Sequence, residues 1–143
     1  MPDLRVKALQ LLTRRDHSRA ELRAKLASEA ASPEELDAVL DTLQAQRLLS
    51  DHRYASQRVA ARGKRYGNAR LKQELRQKGV ADDDIAAALP EAGDETERCR
   101  AIWLKKFGQP PQSADERAKQ MRFLLYRGFS GEAIRQVISG ADE

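Results

Sequence analysis

The chain has 143 residues, with 26 Lys and Arg against 22 Asp and Glu, 41% apolar residues and only 5% aromatics, which leaves room for one ordinary domain or a few small helical units. Good helix formers dominate. No apolar run approaches the length of a bilayer, residues 1–10 lack the apolar stretch of a signal peptide, and the single cysteine, Cys99, cannot form an internal disulfide, so a cytoplasmic protein is expected.

In chain order, helices are predicted at about 3–14, 18–28, 33–47, 51–65, 68–78, 82–89, 94–107, 114–127 and 131–139. Four starts carry the pattern of a capping box, in which a side chain satisfies free amides of the first turn: Ser18 with Glu21, Ser32 with Glu35 and Pro33 between them, Asp94 with Glu97, and Ser113 with Glu116. Breaks come from Gly63, Gly67, Gly79, Gly108, Gly128 and Gly131 and from Pro90, Pro110 and Pro111. Apolar residues recur at three and four, as in Leu36, Val39, Leu40 and Leu43, so each helix has one face to bury; nothing alternates like a strand.

Sliding the chain over itself by 49 residues aligns Ala20, Ala69 and Ala118; Leu26, Leu75 and Leu124; Ala31, Val80 and Phe129. It also aligns Leu36, Ile85 and Ile134; Val39, Ala88 and Val137; Leu40, Leu89 and Ile138. Agreement is weaker in the first helix of each unit, where Val6, Ala55 and Leu104 share a column. The expected fold is all-α, three tandem three-helix repeats of period 49 at 1–50, 51–92 and 93–143, stacked into an elongated, curved array. Such an array suits binding along a groove better than enclosing a small substrate.

Charge singles out the middle repeat. From Arg53 to Val80 there are nine Lys and Arg against one acid, Glu74, whereas residues 1–50 and 91–143 each hold equal numbers of acids and bases. On a helix over 51–65, Arg58, Arg62 and Arg65 form one stripe, either a solvated face or a surface for a polyanion or an acidic protein groove. Tyr66 stands at a turn among Lys64, Arg65 and Arg70, where it either anchors a contact or packs across the helix pair. Tyr54, Trp103 and Phe107 read as core.

Catalytic signals are missing. His17 and His52 have no second ligand at metal spacing, and no phosphate-cradling loop, nucleophile elbow or paired cysteine motif occurs. Asp82, Asp83 and Asp84 point three ways on a helix and read as favourable charge at its N-terminus. Cys99 lies between Arg98 and Arg100, which favours thiolate, but without a base or resolving cysteine it reads as a packed thiol. No cofactor, metal or enzymatic activity is expected.

Four short motifs in order then resemble the RecX family of bacterial regulators: Arg15 to Ser18 with Glu21-Leu22 and Lys25-Leu26; Asp51, Arg53, Tyr54 and Ala55; Tyr66-Gly67 with Ala69-Arg70-Leu71 and Glu74-Leu75 through Val80; and Leu124 to Phe129. The resemblance spans Ala8 to Ile138. It implies a crescent of three-helix repeats lodged in the groove of a RecA recombinase filament on DNA, slowing ATP hydrolysis, strand exchange and filament growth. On that footing Arg58, Arg62, Lys64, Arg65, Arg70 and Lys72 are expected to supply most of the attraction, Arg53, Lys105, Lys106 and Arg127 secondary contacts, and Tyr66 an anchor. The expected partner is the RecA filament, with weak electrostatic contact to DNA, no membrane and a monomeric state. The alternative is a helical protein that binds DNA directly and acts by occupying it, with steep salt dependence; a net charge of +4 argues against that as the main mode.

Overall fold

The computed structural model describes residues 3–141, and among them the chain forms nine α-helices and no strand. They are α1 (Leu4–Arg14), α2 (Arg19–Leu26), α3 (Pro33–Ala45), α4 (Asp51–Arg62), α5 (Asn68–Gln77), α6 (Asp82–Ala88), α7 (Glu95–Lys106), α8 (Ala114–Tyr126) and α9 (Gly131–Ala141).

The four expected caps are in place: Ser18, Ser32, Asp94 and Ser113 each accept the amide of the residue three positions on. Reciprocity differs among them. Glu21 returns a bond to the Ser18 amide at 3.2 Å, whereas Glu35 and Glu116 reach one residue further back, to the amides of Ala31 at 2.7 Å and Gln112 at 2.6 Å. Asp3, Ser50 and Ser130 cap α1, α4 and α9 in the same way.

The period of 49 is visible as geometry. The third helices begin at Pro33, Asp82 and Gly131, in step with the sequence repeat, while the first helices begin at Leu4, Asp51 and Glu95, out of step because the connections before and after them differ in length. Hence Val6 and Leu104, which share a column with Ala55, are exposed while Ala55 is buried. The buried first-helix pairs are instead Leu4 with Ala8, Ala55 with Val59, and Cys99 with Trp103.

By contacts the chain divides into two compact units, residues 1–57 with 75–87 and residues 58–74 with 88–143, so each outer repeat is joined by part of the middle one. The first unit is centred on Leu4, Ala8, Leu22, Leu26, Leu36, Leu40, Leu43 and Leu49. The second is centred on Cys99, Trp103, Leu124, Phe129, Ala133, Ile134, Val137 and Ile138. One type of junction recurs in both. In the first unit the Ser18 hydroxyl donates to the Lys78 carbonyl at 2.6 Å and the Arg19 amide to Asp51 at 2.7 Å. In the second, 49 residues on, the Gly67 amide donates to the Arg127 carbonyl at 2.8 Å and the Asn68 amide to Glu95 at 2.7 Å.

Candidate functional site

The site grows from the end of α4. That helix stops at Arg62 rather than continuing through residue 65, because the amides of Arg65 and Tyr66 both turn back to the Arg62 carbonyl, at 3.0 and 3.1 Å. Arg65 is therefore on a turn, and the basic stripe is not one helical face. Arg98 of α7 fixes the turn from below, donating to the carbonyls of Gly63 at 3.0 Å and Tyr66 at 2.8 Å and to the Asn68 side chain. Its burial opposes its ionisation, so four acceptors around one half-buried guanidinium, the Gly93 carbonyl at 3.2 Å being the fourth, are the compensation the charge needs.

Two glycines then bring a second turn close. Gly67 and Ala69 donate to the carbonyls of Arg127 at 2.8 Å and Gly128 at 3.1 Å. A Cβ on Gly67 would lie inside 3.0 Å of the Gly128 carbonyl, and Gly128 itself has φ +94, a left-handed backbone that only glycine adopts readily. The approach places Arg127 beside Tyr66.

The Tyr66 ring is surrounded by guanidinium groups: Arg70 at 4.1 Å from its centroid, Arg62 at 4.7 Å and Arg127 at 5.5 Å. Glu74 holds the first two. It accepts two bonds from Arg62, each 2.7 Å, and lies 3.5 Å from Arg70. Hydrogen bonding to Arg62 keeps its carboxyl below the usual range despite partial burial. Arg62 and Arg70 thus share one counter-charge beside the ring.

Next to Tyr66 opens a cleft of about 500 Å3, lined by Lys64, Arg65, Tyr66, Ile102, Lys105, Lys106, Phe123 and Arg127. Five of the eight are cations and none is an acid. Phe123 has Arg127 at 5.1 Å and Lys106 at 5.3 Å from its centroid, and meets Phe107 edge-on at 5.5 Å. Arg127 also donates to the Arg65 carbonyl at 3.2 Å. The arrangement gives a concave surface suited to an anionic partner with flat or apolar groups.

Of the residues expected from sequence, Lys64, Arg65, Tyr66, Lys105, Lys106 and Arg127 line the cleft, and Arg62 and Arg70 frame Tyr66. Arg58 is on α4, where its charge helps depress Glu74, and Lys72 is half-buried on α5; neither lines the cleft. Arg53 belongs to the first unit, bound to Asp16 at 3.1 to 3.2 Å and to the carbonyls of Arg47 at 3.1 Å and Leu48 at 3.2 Å, where it fixes a loop. Sequence reading passed over Arg98, Ile102 and Phe123; only three-dimensional proximity marks them. Cys99 is buried, which pushes its thiol up to about 11 and removes the case for reactivity. Asp82 pairs with Arg76 at 2.9 Å, and no group of metal-ligating side chains occurs among the described residues. No helix among the described residues is long and apolar enough to cross a membrane.

Fold and site together define an all-helical protein of tandem three-helix domains that presents a cationic, aromatic cleft. Residues 5–43, 50–89 and 93–138 match, in order, the first, second and third three-helix domains of RecX. The chain is 49% identical over 140 residues to the regulatory protein RecX of Leptothrix cholodnii, covering 97% of this chain and 89% of the relative. It is 45% identical over 140 residues to that of Ralstonia nicotianae, covering 97% and 88%. The crystal structure of RecX from Lactobacillus salivarius matches the fold with a TM-score of 0.85 at 23% identity, over 97% of this chain and 94% of that one. A second crystal structure of a regulatory protein RecX matches at 0.77 and 28% identity, over 99% and 73%. The chain belongs to the RecX family of regulatory proteins.

Proposed function

We propose that this chain is a monomeric, non-catalytic cytoplasmic regulator that binds the RecA recombinase filament on DNA and restrains its ATP hydrolysis, strand exchange and growth. Its contact surface is the cleft of Lys64, Arg65, Tyr66, Lys105, Lys106 and Arg127. The observation that supports this reading is the convergence of five cations, from the α4–α5 turn, α7 and the α8–α9 turn, on one cleft without a carboxylate. A nucleoprotein filament offers acidic protein surface and DNA phosphates, and such a cleft attracts both at long range and adds aromatic area at contact. Arg62 and Arg70 hold Tyr66, while Arg53, Arg58 and Lys72 add to the field without touching the partner.

The test is ATP hydrolysis by preformed RecA filaments on single-stranded DNA, titrated with this protein with and without excess bare DNA. Hydrolysis falls at substoichiometric protein and stays low in the presence of added DNA. Arg65→Glu with Lys105→Glu and Lys106→Glu abolishes the fall, whereas Arg53→Gln preserves it. No fall with the unaltered protein overturns the proposal, and a fall that bare DNA abolishes replaces it with direct DNA occupancy.

A further inference from the structure

Just outside the cleft, α8 ends at Tyr126, whose side chain is 76% exposed, more than Leu104 at 56% or Leu125 at 52%. It is the most exposed large hydrophobic side chain among the described residues. It is not loosely placed, however. The Arg70 guanidinium lies 5.7 Å from the Tyr126 centroid and 4.1 Å from that of Tyr66, and Glu74 approaches it at 3.5 Å. Tyr126, Arg70, Tyr66 and Arg62 therefore form an alternating series of rings and guanidinium groups, supported at its inner end by the Arg62 and Glu74 pair and open at Tyr126.

We propose that Tyr126 is a stacking platform for an unpaired base of a single-stranded nucleic acid, adding selectivity for single strands to the attraction supplied by the cleft. A base fits because it brings a flat π-face for the ring and phosphates for Arg127, Arg65 and Lys64 nearby. A basic protein segment would be repelled by those cations. An acidic one would satisfy the cations, but only a nucleotide pairs a phosphate with a flat π-face at every unit of its chain. Duplex DNA keeps its bases stacked on each other and offers the ring nothing. The inference deepens the reading of the cleft as a nucleoprotein contact and rests on it in that respect, but its test needs only the protein and an oligonucleotide.

Fluorescence anisotropy would compare a labelled oligothymidylate with an abasic strand of equal length and charge at moderate salt. The unaltered protein binds the oligothymidylate about tenfold more tightly, in line with the loss usually seen when one base–aromatic stack is removed. Tyr126→Ala abolishes that preference and leaves abasic binding unchanged, while Tyr126→Phe retains it, since the ring and not the hydroxyl makes the contact. Tyr126→Trp gives emission quenched by oligothymidylate and not by the abasic strand, against a constant background from Trp103, which is buried and bonded to Gln120 at 2.8 Å. Equal affinity of the unaltered protein for both strands overturns the proposal, as does an equal loss on both in Tyr126→Ala, or emission from Tyr126→Trp that oligothymidylate leaves unquenched. A protein that restrains the recombinase but shows no base preference overturns the stacking alone; base preference without restraint overturns the regulatory reading alone.

Discussion

Replacing Gly128 by alanine tests whether the two turns that build the cleft are held in contact by the absence of side chains. With φ at +94, an alanine costs about 1–2 kcal/mol in backbone conformation alone. Its methyl would also lie inside 3.0 Å of both the Arg70 Cβ and the Arg70 amide nitrogen, atoms that no rotamer change can move aside, and such overpacking adds ~1–3 kcal/mol. The total is about 2–5 kcal/mol. Gly67→Ala isolates the second contribution, because Gly67 has no positive φ but its Cβ would meet the Gly128 carbonyl; about 1–3 kcal/mol is expected. Both methyls push the same two turns apart, so the double variant should lose roughly 1 kcal/mol less than the sum of the singles. The assay is urea unfolding followed by the fluorescence of Trp103, buried in the same unit. A loss below about 0.5 kcal/mol for Gly128→Ala, the range of an ordinary surface change, would refute the close approach. So would additivity within about 0.3 kcal/mol in the double variant.

Two further tests address the cores. Burial would raise the Glu21 carboxyl, but bonds from Arg15 and the Ser18 amide outweigh it and hold the group at about 2. A carboxyl depressed on folding stabilises fully above its unfolded value of about 4.3 and loses that contribution as pH falls toward 2, roughly 3 kcal/mol in all. Unfolding free energies measured between about pH 5 and 2 should therefore fall less steeply in Glu21→Gln; parallel curves would reject the assignment. Gln120 is buried at the position that Leu22 and Leu71 occupy in the other repeats, and it accepts the Trp103 indole N–H at 2.8 Å. Gln120→Leu restores an apolar column yet should destabilise by about 1 kcal/mol, since an orphaned buried donor costs ~1–3 kcal/mol. Greater resistance to urea in that variant would show the indole to be satisfied otherwise.

Most of the fold is legible in the sequence because its signals are local. A serine or aspartate three residues before a glutamate marks a helix start, and a period of 49 survives where helix starts keep that spacing, as the third helices do at Pro33, Asp82 and Gly131. It fails in the first helices because α1, α4 and α7 start at Leu4, Asp51 and Glu95. The buried Gln120 interrupts its column because a tryptophan 17 residues away asks for an acceptor. The site is legible in composition but not in assignment. Charge counting finds the basic stretch, yet it cannot tell that Arg62 spends its charge on Glu74 while Lys105 and Lys106 join Arg65 across a cleft. Arg98 gives no local signal, since three acceptors 30 or more residues away define its role.

The recurring junction shows how the same backbone serves two purposes. In the first unit, His17 is buried beside Lys25 at 2.9 Å, and Glu21 draws in Arg15 at 2.8 Å and Lys78 at 3.8 Å. Moving 49 residues on, Tyr66 replaces His17, Arg70 replaces Glu21 and Arg65 replaces Asp16. The acids that close the first junction are thus bases in the second, and the one acid gained there, Glu74 in place of Lys25, binds inward to Arg62. What remains around Tyr66 in the second junction is positive charge, whereas the first junction joins the matching positions, through the Ser18 hydroxyl in place of the Gly67 amide, with its charges paired. On the proposed function, Arg65 and the other cleft-lining cations are the charge offered to a partner.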